Sequence, residues 1–367
     1  MSVTMREVAS VAGVSIKTVS NVINDYPFIK PATRQRVLDA IDELHYQPNL
    51  SARSLRLGRS GVIGLIIPDL RNAYFAELAD AVMRAAALRG LSVLIEQVGG
   101  DRESELAALR GPRSRLLDGV LYSVLALDQD DVGVLEEIDI PMVLLGERIF
   151  HGPTDHVTMA NVAGAEAATS HLIAAGRRRI LALGAHEGEV IGSAGLRLTG
   201  YRAALEAAGI EFDDRLVRHA GTWHRRDGAE AMRILLDDGV EFDGMFAFND
   251  ALALGAMRVL QEAGFRIPRD VAVIGFDDID ETRYSLPTLS TIAPGKDEIA
   301  ERAIAMLLER IDDPDRTIAP REVETAFKLV VRESSSGKAA PKIRRRTVAG
   351  VRPGAATPAG GGARWEP

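Results

Sequence analysis

Between residues 61 and 332 short apolar runs alternate with longer stretches of helical periodicity, and this alternation restricts the fold more than any other feature of the chain. GVIGLIIP, residues 61–68, is a continuous apolar run, the pattern of a strand covered on both faces in a parallel sheet. Leu78, Val82 and Ala86 follow at helical spacing, and then come LSVLIEQ, DGVLYSVLAL and PMVLLGE. A second series repeats the scheme with RRILALGA, LVRHAGT, GMFAFND and DVAVIGFDD, separated by helical patterns around 163–175, 196–208, 226–237 and 251–263. Two strand–helix series in succession predict an α/β fold with two doubly wound parallel-sheet lobes. Ligands of such folds gather at the carboxyl ends of the strands and in the cleft between lobes. After Thr291 the chain holds one more helix, KDEIAERAIAMLLERI, and a strand, FKLVVRES.

Charge is distributed unevenly. The net charge of −8 resolves into +3 over residues 1–60 and +6 over the last 34 residues, which leaves −17 for residues 61–333. A small basic head on a strongly acidic body is what a protein needs when one end alone approaches phosphates. The chain has no cysteine, which excludes disulfides, thiolate nucleophiles and cysteine metal sites. No apolar run reaches the roughly 18–20 residues that span a bilayer. The segment MSVTMREVAS lacks the basic lead and apolar core of a secretory leader, so a cytoplasmic protein is expected.

The head reads as three short helices. Thr4 and Glu7 form a capping-box pattern, Val8, Val11 and Ala12 share a face, and Gly13 suits a helix exit. Ser15 can cap a second helix, in which Val19, Val22 and Ile23 form one stripe while Lys17, Thr18, Ser20 and Asn21 crowd the other side. A third helix starts near Pro31 and runs through Val37, Ile41 and Leu44 to about Tyr46. This is the outline of a helix-turn-helix, whose second helix enters the major groove of double-stranded DNA. Ile16, Lys17 and Asn21 are the candidate base readers: Ile for a thymine methyl, Lys for guanine or phosphate, Asn for an adenine edge. Thr4, Ser15, Thr18, Ser20 and Asn24 are further candidate DNA contacts. A small helical bundle with a solvated polar face is the plain alternative.

MREVASVAGVSIKTVSNVIN, followed by TRQRVLDAIDELHYQPNLSARSLRLGRSGVIGLIIPD, resembles the head of the lactose/galactose repressor (LacI/GalR) family of bacterial transcription regulators, and the resemblance continues to about residue 332. It implies a DNA-binding domain over 1–48, a hinge over 49–60 and a two-lobed effector-binding and dimerisation domain over 61–332. Lobe one is then expected at about 61–161 plus 292–322, and lobe two at about 162–291 plus 323–332. In NLSARSLRLG, Ala52 and Leu55 match positions that enter the minor groove, where paired leucines wedge into a base step, with Arg53 beside them. Two departures stand out. Asn21 occupies a position where the family commonly has Arg, and Lys30 precedes the third helix where Ser or Thr is frequent, a weaker cap.

Polar and aromatic residues collect just past the strands: Asp69, Asn72, Tyr74 and Phe75, then Arg148, Arg197, Trp223, Asn249, Asp250, Asp277 and Asp278. Singly, an Asp or Asn there is more often a helix cap or turn former. Together they suit a saccharide, which offers vicinal hydroxyls to bidentate groups and an apolar ring face to an aromatic platform. The resemblance implies effector contacts from Arg197, Asn249, Asp277, Phe75 and Trp223, to which Asn72 and Arg148 are added. Ala160 stands where the family's common Asp precedes Asn161, and Tyr74 where it often has Pro.

The expected function is a homodimeric, sugar-responsive repressor on palindromic operator DNA, not an enzyme and without cofactor or metal. A purine or nucleoside corepressor on the same architecture remains open, and a solute-binding protein would not need residues 4–46. No phosphate-binding Gly-x-x-x-x-Gly-Lys-Ser/Thr loop and no metal-spaced His pair occurs. The Gly/Pro/Ala-rich basic segment over 333–367 is expected to be a disordered tail, without the leucine heptads of a coiled coil.

Overall fold

The computed structural model describes residues 3–23, 26–46, 59–111 and 116–336. Three helices form the head: α1 (Met5–Ala12), α2 (Ile16–Ile23) and α3 (Pro31–Glu43). The Thr4/Glu7 capping box is present, and Gly13 ends α1 at φ 62, the left-handed cap for which a residue without Cβ is suited. Lys30 precedes α3 without any side-chain cap. Val8, Ala12, Val19, Val22, Val37 and Tyr46 close a small core.

The body alternates β1 (Val62–Ile67), α4 (Ala73–Ala87), β2 (Ser92–Gln97), α5 (Arg102–Arg110), β3 (Gly119–Ser123), α6 (Val132–Glu136), β4 (Met142–Leu145) and β5 (Asp155–Met159). It continues with α7 (Asn161–Ala174), β6 (Ile180–Ala185), α8 (Ser193–Ala207), β7 (Val217–His219), α9 (Arg225–Asp237), β8 (Gly244–Ala247), α10 (Asp250–Glu262), β9 (Ala272–Phe276) and β10 (Ser290–Ala293). It closes with α11 (Lys296–Ile311), β11 (Glu322–Thr325) and β12 (Lys328–Val330). One sheet runs β11-β5-β4-β3-β1-β2, all parallel, and the other runs β12-β10-β9-β8-β6-β7, parallel except where β12 meets β10. The α/β class with two parallel-sheet lobes is therefore as expected, and β1 is buried as its apolar run required.

The lobe boundaries differ from the expected ones. β11 joins the first sheet, so Val323–Thr325 belong to lobe one, and Ile292 and Ala293 of β10 belong to lobe two. The chain crosses between lobes near residues 160, 295 and 327, and the crossings are laced: Thr325 Oγ1 donates to Thr158 O (3.3 Å) and to Pro294 O (3.1 Å). Sequence patterning also passes over β5, because DHVTM carries a charged residue inside the sheet. Asp155 is fully buried and receives Arg310 Nη2 at 2.7 Å and Arg321 Nη2 at 2.8 Å. Burial alone would raise its pKa, but the hydrogen bonds and charge of the two arginines outweigh it and hold the carboxyl below its usual range.

Residues 333–336, the first of the expected tail, are part of lobe two. Ser334 is buried, its Oγ donating to Val273 O (2.7 Å) and its N donating to Thr288 O (2.9 Å), and Ser335 Oγ lies 2.7 Å from Ser290 Oγ. Short hydroxyl side chains thus fasten 333–336 to lobe two, while the expectation for 337–367 lies outside the described residues. At the other end of the body Arg59 donates to Ile311 O (3.0 Å) and pairs with Asp312 (2.6 Å), so the chain leaving the head is tied to the last turn of α11.

Candidate ligand cleft and recognition helix

α2 is a helix of mediocre formers held by its neighbours. Ser15 Oγ accepts from Thr18 N (3.1 Å), and Val19 and Val22 are buried against α1 and α3. Ile16 and Lys17 are exposed and Asn21 is half-buried, so all three candidate readers stay accessible to some degree. Ser20 is different: it is only 4% exposed and cannot belong to the readout face. A helix packed between two partners buries a wider arc than one apolar stripe, and Ser20 falls inside it. Thr4 is engaged by its capping box with Glu7. Asn24, Ala52, Arg53 and Leu55 lie outside the described residues.

Between the lobes lies a cavity of about 440 Å³, with walls from both. Lobe two supplies Arg197, Trp223 and Asp277. Arg197, early in α8, is buried; its Nε donates to Asn161 Oδ1 (2.7 Å), Nη1 donates to Phe248 O, and Nη2 lies 3.7 Å from Asp277 Oδ1. Its guanidinium stacks 3.7 Å over the Phe276 ring and 5.2 Å from that of Trp223. Asp277 is driven up to about 6, above all by burial, against the opposing charges of Arg197 and Lys296, with Glu77 and Glu147 adding to the rise. Burial also raises Asp250, whose Oδ2 accepts from Ile279 N (3.0 Å).

Backbone strain is concentrated on this wall. Trp223 has φ 61, Asp277 φ 112 and Asp278 φ 48, conformations that cost L residues of order 1–3 kcal/mol each and persist where surroundings impose them. Trp223 is fixed through its Nε1, which donates to Gly184 O (2.9 Å), and through its carbonyl, which accepts from Asn249 Nδ2 (3.0 Å). Gly184 has φ 122, and any Cβ there would meet Phe248 and Leu252 at 2.8 Å. Asn249 therefore corrects an expectation: its Oδ1 caps α10 by accepting from Leu252 N (2.8 Å), and both ends of its amide are committed. It holds the aromatic platform from behind and does not line the cavity.

Lobe one supplies Asn72, Phe75, Glu147 and Arg148. Asn72 lines the cavity while capping α4, accepting from Tyr74 N (3.2 Å), and Phe75 lies one residue beyond. Arg148 Nη2 reaches across to Glu189 Oε2 (3.3 Å) in lobe two. Burial would raise Glu189, but the hydrogen bond from His186 and the charges of Arg148 and His186 hold it low; that same hydrogen bond raises His186. Three more contacts cross the cleft. Asp69 Oδ2 lies 3.0 Å from His224 Nε2, Ser193 Oγ donates to Glu147 Oε2 (2.6 Å), and Asp280 N donates to Glu77 Oε1 (2.7 Å). Lys296 pairs with Glu77 (2.8 Å) and donates to the carbonyls of Asp277 (2.5 Å) and Asp278 (3.0 Å).

Glu147, Glu189, His186, Ser193 and His224 were not among the candidate contacts. Glu147 had a readable signal, its place directly after β4. Glu189 and His186 had none, since they sit in the glycine-rich loop GAHEGEVIGSAG. The arrangement offers an aromatic slot with carboxylates and guanidiniums around it, suited to a small molecule rich in hydroxyl groups. Among the described residues no cluster of His, Asp or Glu could hold a metal ion, and no helix is long and apolar enough to cross a membrane.

Comparison with known proteins bears on both ends of the chain. Residues 4–49 match the bacterial regulatory proteins of the lacI family, and residues 169–335 match the periplasmic binding protein-like domain. The ribose operon repressor of Escherichia coli is 35% identical over 85% of this chain and 94% of its own length. The solved complex of the transcriptional regulator CelR with cellobiose is 32% identical, with a TM-score of 0.67 over 91% of this chain and 100% of that one. The lac repressor dimer bound to operator and the anti-inducer ONPF is 27% identical, with a TM-score of 0.78 over 91% of this chain and 99% of that one.

Proposed function

The chain belongs to the lacI family of bacterial regulatory proteins, and from that premise we propose that it is a sequence-specific transcriptional repressor, homodimeric on palindromic operator DNA, whose operator affinity is set by a small carbohydrate held between the lobes. The observation that carries the effector half is the interlobe cavity, where Arg197 and Asp277 present paired polar groups beside the rings of Trp223 and Phe75. The relatives named for ribose and cellobiose support a carbohydrate as the occupant. The dimeric state of the lac repressor on its operator supports a dimer here. So do large apolar side chains left exposed on lobe one, Met83 of α4, Leu88 just after it and Leu94 of the sheet-edge strand β2.

In this reading residues 1–48 are the DNA-binding domain, 49–60 the hinge and 61–336 the effector and dimerisation domain. Ile16, Lys17 and Asn21 read bases, Ser15 and Thr18 meet the phosphate backbone, and Ala52, Arg53 and Leu55 of the hinge engage the minor groove. Arg197 and Asp277 bind vicinal hydroxyls, Trp223 and Phe75 stack on the ring, and Asn72 and Arg148 complete the rim. The protein catalyses nothing and acts in the cytoplasm, on the nucleoid while it holds its operator. Ligand in the cleft changes the angle between lobes and with it the alignment of the two heads; a coupling of about 1–3 kcal/mol shifts operator affinity roughly 5- to 150-fold.

Thermal-shift screening of neutral sugars and nucleosides, followed by operator titration with each hit, tests the reading. A sugar is expected to raise the melting temperature by mass action and to change operator affinity. A nucleoside hit in place of sugars would identify the other effector class, and operator affinity indifferent to every ligand that fills the cleft would end the proposal.

A further inference from the structure

The charges that line the cavity pair off unevenly. Arg71 binds Asp69 through two nitrogens, Nε at 3.2 Å and Nη2 at 3.1 Å. Arg148 faces Glu189 (3.3 Å) and Arg197 faces Asp277 (3.7 Å). One carboxylate is left over. Glu147 is 4% exposed and forms no ion pair among the described residues. Its oxygens instead accept from hydroxyls and one amide: Ser193 Oγ at 2.6 Å, Thr158 Oγ1 at 3.1 Å and Met159 N at 3.5 Å. After burial, which is the main cause in each case, its negative charge adds to the raised pKa of Tyr74 and Asp277 and favours the charged form of Arg197.

A second observation points the same way. The first turn of α8 opens into the cavity and offers the backbone amides that in many proteins receive a phosphate. Here Glu189 fills that position, its Oε1 accepting from Ala194 N (3.0 Å) and Gly195 N (3.4 Å). Among the described residues every cation lining the cavity is therefore paired with a carboxylate and two amides of the α8 terminus are taken by Glu189, while the buried Glu147 repels an anion.

We infer that Glu147 is a specificity-determining residue that restricts the cleft to uncharged polyhydroxy ligands, so that sugar phosphates and sugar acids are excluded. This rests on the carbohydrate reading of the same site. Glu147 already takes hydroxyl donors, and its spare lone pairs take those of a neutral sugar at little cost. A phosphate or carboxylate brought near it has no cation to meet that is not already bound to a protein carboxylate. Glu147 also puts a carboxylate just past the end of β4, one strand from Ala160 at the end of β5, where the resembled family commonly has Asp.

Calorimetric titration of the full chain with matched pairs is the test: D-ribose against D-ribose 5-phosphate, D-glucose against D-gluconate and D-glucose 6-phosphate, and cellobiose against cellobionate. The neutral member of any pair that binds is expected to bind at least a hundredfold more tightly. Glu147→Gln is expected to narrow that preference to tenfold or less without lowering the melting temperature of the free protein, and Glu147→Asp to restore most of it. Anion binding within tenfold of the neutral partner in the native chain overturns the inference and leaves the carbohydrate reading standing. An unchanged preference in Glu147→Gln overturns the role of Glu147. No heat in either arm overturns the carbohydrate reading and this inference with it.

Discussion

The two walls of the cleft are built differently. On lobe two, Arg197, Trp223 and Asp277 are interlocked: guanidinium on ring, ring nitrogen on a backbone carbonyl, and two of the three residues at positive φ. On lobe one, Asn72, Phe75 and Arg148 sit at a helix cap and just past a strand end, at no unusual backbone angle, and only Arg148 is held from the opposite lobe, by Glu189. The lesson is a division of labour. Lobe two is the more preorganised wall, and under the proposed function it is the wall that fixes the ligand while lobe one closes over it.

Arg197→Ala attacks the preorganised wall at its centre, leaving Asp277 and the Phe248 carbonyl without their buried partner; about 3–5 kcal/mol of stability should go, as for other broken buried pairs. Ligand affinity should fall at least a hundredfold, as read by denaturant unfolding and calorimetry. An equal loss in Arg148→Ala would erase the distinction between the walls. Trp223→Ala removes the platform and should weaken sugar binding about thirtyfold, in line with the roughly 2 kcal/mol or more lost at aromatic hot spots.

Asp277 gives a smaller, pH-dependent effect. Its pKa near 6 is above the ordinary value of 3.8, so the free fold is favoured by this group at low pH and loses that contribution as pH rises through 6. A sugar hydroxyl donates to the ionised form, so affinity should be full above pH 7 and decline by up to about tenfold per unit below 6. Because His186 also has a raised pKa, titrations must be repeated in Asp277→Asn, which should bind weakly and without that step. If the variant keeps the step, the group responsible is not Asp277. Finally, Asp69→Asn removes the charge facing His224 across the cleft and should cost only three- to fivefold in affinity, with no loss of stability in the ligand-free protein. A larger effect there than in Trp223→Ala would place the rigid wall in lobe one.

Much of this architecture was legible because an apolar run such as GVIGLIIP suits a strand with helices on both faces of its sheet, and because the Thr4/Glu7 box and Gly13 state the limits of α1 directly. β5 escaped because its Asp155 is neutralised by Arg310 and Arg321, which lie more than 150 residues further along the chain. Ser20 was placed on the readout face by periodicity, but whether a flank of a helix is covered depends on two neighbours that periodicity does not see. Asn249 has the residue type of a sugar ligand and the geometry of a cap, a choice made by hydrogen-bond distances. The interlobe pairs were invisible because each joins a residue of one lobe to a residue of the other that sequence spacing does not relate.

α11 gives the molecule a mechanical axis. Its first residue, Lys296, grips the carbonyls of Asp277 and Asp278 where ligand would sit, and its last turn holds Arg59 as the chain departs toward the head. Sixteen residues make a rod roughly 24 Å long at about 1.5 Å per residue, too stiff to shorten. Under the proposed function such a rod is the part of the fold that would carry a tilt at the cleft to the Arg59 attachment, so that the sensing and acting ends share one lever.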